Sequence, residues 1–127
     1  MHKKVFVDLK TPIVYGGGSE LKQLRIMVDY EKGGMNYFSG NVYESGVKVY
    51  LTPCTVTNGI VTQTIMGEQH VCGYKIMLKQ INRKSQKQID IAAERIMPFA
   101  QEIADNYSEG NHKQVYSLIK AAYNSEY

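Results

Sequence analysis

Tryptophan is absent from this chain of 127 residues, and only two cysteines, three prolines and three histidines are present. Cys54 and Cys72 are too few for a disulfide scaffold and stand in no CxxC pair. His2, His70 and His112 are scattered, so no set of ligands at zinc spacing exists and no structural metal or other cofactor is expected. No apolar run approaches the roughly 20 residues of a membrane-spanning helix. The opening MHKKVFVDLK lacks the apolar stretch of a secretory signal. These absences predict a soluble protein of the cytoplasm with reduced thiols. The charge excess is small, +3 with a pI near 8.8, well short of a dedicated nucleic-acid binder.

Ten tyrosines are present, a residue with an apolar ring and a polar tip that suits half-exposed sheet positions and interfaces. Ten of the eleven glycines precede residue 75, together with the alternating apolar patterns of strands. Val5–Leu9, Leu24–Tyr30, a short piece at Val42-Tyr43, Val47–Leu51 and Tyr74–Leu78 read as strands. Thr11-Pro12 is expected to end the first, and Pro53 to interrupt the fourth at an edge or bulge. Gly16-Gly17-Gly18 reads as a wide hairpin loop, since it lacks the lysine and spacing of a phosphate cradle. Asn58-Gly59, between Thr55-Val56-Thr57 and Ile60-Val61-Thr62, predicts a two-residue hairpin, whose turn needs positive φ at both central residues.

Beyond residue 85 the period changes to three and four. Ser85 followed by Gln88 predicts a capped helix start. Ile89, Ala92, Ala93, Ile96, Phe99, Ala100, Ile103 and Tyr107 form one apolar stripe with Pro98 inside it. The stripe keeps its phase, which favours one kinked helix over two. Gly110 closes it, Asn111 can cap the next, and Val115, Leu118, Ile119 and Ala122 mark a last buried face. The expected architecture is α+β in one domain: an antiparallel sheet of five or six strands in residues 1–82, then a two-helix hairpin in residues 85–125 on one face. Tyr116 and Tyr123 widen the last helix's apolar face, which predicts a homo-oligomer.

Charge is most one-sided where sheet gives way to helix. Lys75, Lys79, Arg83, Lys84 and Lys87 meet no acid until Asp90. Lys75, Lys79 and Arg83 share parity on a strand and phase on a helix, so one basic face is expected. Cations at a helix N-terminus oppose its dipole, and an anion would complete them. A solvated surface is the plain alternative. In Gly33–Gly40, Tyr37 and Phe38 are placed to stack on a flat ligand, with Asn36 reading an edge and Tyr74 as a further ring. The alternative has Phe38 plugging the core. No nucleophile elbow or forced acid pair supports catalysis.

GGMNYFSG, VKVYLTP and KQINRKSQKQI together resemble small proteins of bacteriophages and mobile elements. Those carry an N-Y-F/W-[ST]-G segment, a Y-x-L-x-x-x-P-like strand and an R-x-S-x-K-like helix start. Here the strand motif is shortened, and Arg83-Lys84-Ser85 carries the last one. In size and order, sheet and then two helices, the chain also resembles the Thoeris anti-defence sponges. That resemblance implies a non-enzymatic oligomer in the bacterial host cytoplasm that sequesters a small anionic nucleotide, of the cyclic ADP-ribose or cyclic oligonucleotide type, between subunits. It supplies no ligand residues. The alternative function is an anti-CRISPR-like inhibitor binding a protein or nucleic acid of an immune complex, and a hydrolase is third.

Overall fold

The computed structural model describes residues 2–15, 19–64 and 74–125. The glycine run 16–18 lies outside them. The chain is α+β, an antiparallel sheet followed by helices on one face. Among the described residues, seven strands, β1 (Lys3–Tyr15), β2 (Ser19–Glu31), β3 (Gly34–Met35), β4 (Val42–Tyr43), β5 (Gly46–Thr57), β6 (Ile60–Thr64) and β7 (Tyr74–Gln80), precede α1 (Gln86–Ile96), α2 (Ala100–Ser108) and α3 (His112–Asn124). The main sheet runs β1-β2-β5-β6, with β7 also on β5, and β3-β4 form a separate two-stranded ribbon.

Strand β5 is central because both of its edges are used. Along one it pairs with β2 from Gly46↔Glu31 to Cys54↔Gln23. Along the other it pairs first with β7, ending at Leu51↔Tyr74, and then with β6, beginning at Cys54↔Thr64. Pro53 does not interrupt the strand. It falls in the gap between these two partners, where a proline costs no ladder bond to either. The first strand also outruns its expected end: β1 passes through Pro12 to Tyr15. Its register slips between Asp8 and Ile13, so four residues face one on β2, and the proline is absorbed in that bulge on an outer strand.

Alternation sorts the side chains. Leu24, Ile26 and Val28 on β2, Val47, Val49 and Leu51 on β5, and Ile76 and Leu78 on β7 are buried against the helices. Ile89, Ala92, Ile96, Ile103, Val115 and Ile119 complete that core. Burial of such side chains, worth about 1.5–3 kcal/mol each, is what holds the helices to the sheet. Asn58 and Gly59 turn β5 into β6 with φ of 52° and 78°, the left-handed pair such a turn requires.

Ser85 caps α1, its Oγ accepting from Gln88 N–H at 3.4 Å. The single kinked helix is replaced by two helices. Pro98 offers no N–H to the preceding turn, so Met97–Phe99 form a 3-10 turn and α-helix resumes at Ala100. The break turns Phe99 out of the stripe, leaving it 41% exposed. Asn111 stands at the start of α3, but its side-chain amide donates back to Asn106 and Glu109 instead of capping. Tyr123 is half-buried beside Arg95, whereas Tyr116 is exposed beneath the Lys120 ammonium. Among the described residues, no helix is long and apolar enough to cross a membrane.

Candidate functional site

Between β2 and β5 the chain leaves the main sheet as an arm, residues 33–45. Gly34↔Tyr43 and Met35↔Val42 pair along it. At its tip Asn36 organises the turn. Its backbone N–H donates to Asn41 O at 2.9 Å, its carbonyl accepts from Gly40 N–H at 2.8 Å, and its side-chain Oδ1 accepts from Phe38 and Ser39 N–H. The base is closed by Gly33 N–H donating to Ser45 Oγ at 2.7 Å. This turn presents Tyr37 and Phe38 to solvent, 89% and 103% exposed. Phe38 therefore does not plug the core. The oxygen of Asn36 is engaged in the turn, so only its NH₂ is left to read a ligand edge.

Under the arm lies an open depression of about 420 Å³, lined by Glu31, Lys32, Gly33, Gly34, Met35, Asn36, Tyr43 and Lys75. Two of its lining residues, Glu31 and Lys75, belong to an ionic cluster on the sheet face opposite the helices. Lys48 is 5% exposed and donates to Glu31 Oε1 at 2.8 Å. Lys75 donates to both Glu31 oxygens, at 2.9 and 3.0 Å, and Tyr50 OH to Oε2 at 2.9 Å. Burial raises the Glu31 carboxyl, but the hydrogen bonds from Lys48, Lys75 and Tyr50 and the Lys48 charge outweigh it and bring it down to about 2. The lining of the depression itself holds two cations, Lys32 and Lys75, and one carboxylate, Glu31.

Of the expected basic face, only Lys75 reaches this depression. Strand β7 explains why. Lys48 pairs with Met77 but Val47 with Lys79, so Leu78 is an extra residue and the alternation slips. Lys75, opposite Tyr50, belongs to the face away from the helices, while Lys79 stands opposite the core residue Val47. The two lysines do not share a face. Arg83, Lys84 and Lys87 are exposed around the entry to α1. Ile81 N–H to Ser45 O at 3.1 Å and Tyr30 OH to Asn82 O at 3.2 Å bring that turn to the arm's end of the sheet without bringing it into the depression. Tyr74 contributes its backbone to β7 opposite Leu51, and its side chain lies outside the description.

The site thus unites Asn36 and Lys75 from the expected set with Glu31, Lys32, Met35 and Tyr43, which sequence reasoning missed. Lys32 had a signal, since it stands between a strand end and a glycine pair. Tyr43 had one as well, on the short expected strand that directly follows the Gly33–Gly40 segment. Elsewhere, Cys54 is buried, and desolvation pushes its thiol up against a smaller opposing effect of Arg25. No group of three His, Cys, Asp or Glu side chains among the described residues could hold a metal ion. Comparison with known protein families, curated proteins and solved structures finds no match to this chain.

Proposed function

We propose that this chain is a non-enzymatic binding protein that captures a small anionic nucleotide, of the cyclic ADP-ribose or cyclic oligonucleotide type, in the depression beneath the arm. In this reading it works as an oligomer in the bacterial cytoplasm and sequesters a defence signal. The observation that carries it is one concave surface combining two lysines, Lys32 and Lys75, with the Tyr43 ring and Asn36. Its volume of about 420 Å³ falls within the roughly 300–1,000 Å³ usual for small-ligand sites. Lysines pair with phosphate as point charges, an aromatic wall accepts a base face, and an amide NH₂ meets a base or ribose oxygen. The phage-protein resemblance of the sequence supplies the biological setting. A chain without a nucleophile elbow or zinc spacing suits capture better than turnover.

Calorimetric titration with a cyclic mononucleotide, a cyclic dinucleotide and cyclic ADP-ribose tests this. At least one is expected to bind. Lys32→Glu should weaken it about tenfold or more, since a hydrogen bond to a charged group contributes about 1.5–3 kcal/mol. Lys113→Glu on α3 should leave binding unchanged. Heat-released ligand should have its original mass. Absence of binding across the panel, or recovery of an altered product, overturns the reading.

A further inference from the structure

The ribbon of β3 and β4 is apolar on both faces and at its tip. Tyr43 is opposed to Gly34 and Val42 to Met35, so the Tyr43 ring leaves one face while Met35 and Val42 leave the other. Tyr37 and Phe38 project from the tip, on the turn tied by the Asn36 hydrogen bonds. These five are half of the ten exposed large apolar side chains among the described residues. Scattered singly they would be ordinary, but together they mark an interaction site. Residues 33–43 include no charged side chain.

Charge stands at the root of the arm instead. Ile81 N–H donating to Ser45 O, and Tyr30 OH to Asn82 O, hold the turn before α1 beside that root. Lys32, Arg83, Lys84 and Lys87 are exposed there, and among the described residues none of the four forms an ion pair. Glu44 is the single acid of the arm.

This arrangement of an uncharged tip over a cationic root identifies the partner. A flat protein surface or a run of stacked bases would cover one face of the ribbon and leave the other in water. Met35 and Val42 also offer no ring to a base. A lipid surface surrounds both faces and the tip at once. Its acyl boundary takes apolar groups, and its anionic headgroups meet the cations. Tyrosine suits that depth, with the ring in the apolar zone and the hydroxyl among headgroups. From Gly34 to Asn36 the arm extends about 7 Å at strand rise, which matches the roughly 5–10 Å depth of interfacial insertion.

We infer that the arm inserts into an anionic lipid surface, with Tyr37 and Phe38 below the headgroups and Lys32, Arg83, Lys84 and Lys87 against them. The contact goes beyond the nucleotide reading and is measured without a nucleotide.

The experiment is cosedimentation of the full chain with vesicles of phosphatidylcholine and phosphatidylglycerol in equal parts, beside vesicles of phosphatidylcholine alone. Binding to the anionic vesicles should be stronger by about tenfold or more, since each cation near an anionic leaflet contributes roughly fivefold. Tyr37→Ser/Phe38→Ser should weaken it about tenfold or more. Arg83→Gln/Lys84→Gln should do the same, and Lys113→Gln on α3 should change nothing. The chain has no tryptophan, so Phe38→Trp reports on the tip alone. Its emission should shift to the blue with anionic vesicles and be quenched by brominated lipid. Absence of binding to the anionic vesicles overturns the inference. So does binding with no shift at Phe38→Trp, or binding that the ring variant retains in full. A response to a single-stranded oligonucleotide in place of vesicles would assign the arm to nucleic acid and overturn it too.

Discussion

The Glu31 carboxylate grips the Lys75 ammonium at 2.9 and 3.0 Å across 44 positions of sequence, joining the end of β2 to the start of β7 over the top of β5. Lys48, between them, completes the cluster from the central strand. The arm begins two residues after Glu31, at Gly33, so the same contact lies within the lining of the depression.

Replacing Glu31 by Gln keeps the shape and removes the charge that offsets two ammonium groups. Lys48 is buried, and breaking a buried pair from one side costs about 3 kcal/mol or more. Lys75 is one-third exposed, so Lys75→Gln should cost about 1 kcal/mol or less. Urea unfolding of the two variants checks the order, and equal losses would contradict the cluster as described.

Acid should act through the same carboxyl. Glu31 titrates at about 2 in the folded chain against an ordinary 4.5, a depressed value. Its contribution is therefore full above about pH 4.5 and lost as the pH falls through about 2. Stability measured across that window should decline in the wild type and decline less in Glu31→Gln. Parallel curves would remove Glu31 as the responsible group.

Among the described residues, two glycines have no room for a side chain. A Cβ on Gly33 would lie 2.1 Å from Tyr43 O, and one on Gly46 would lie 2.2 Å from Lys79 O, both backbone atoms. Alanine at either site should cost about 1–3 kcal/mol. Gly33→Ala should also open the arm and abolish ligand binding, which calorimetry reads directly. Gly46→Ala should act mainly on thermal unfolding, through the β5–β7 pairing.

Ser85→Ala removes the side-chain acceptor at the head of α1 and should lower stability by about 1 kcal/mol, with Ser85→Asp restoring it. Thermal unfolding of the three proteins is sufficient to decide.

Local chemistry was readable in the sequence. Asn58-Gly59 specified its hairpin and Ser85 its helix start, because each depends on residues within three positions. The α+β order and most of the core followed from period. What escaped were the features made by register. The bulge at Leu78, which separates Lys75 from Lys79, and the slip that absorbs Pro12 depend on which strand lies alongside. Pairing β2 and β7 to β5 is likewise what brings Glu31 to Lys48 and Lys75. The aromatic pair is plain in the sequence, but its exposure follows from the Asn36 turn, which closes before either ring can reach the sheet.

The change of neighbour along β5 divides one ribbon into two regions of unequal anchorage. Its first half is flanked on both sides and backed by helices, and Lys120 of α3 donates to the Met77 carbonyl beside it. Its far half is accompanied by β6, where Ile60 and Val61 are exposed. Deuterium uptake should therefore begin at the Asn58-Gly59 end and reach the amides around Val49 last, a gradient of opening that runs along a single strand.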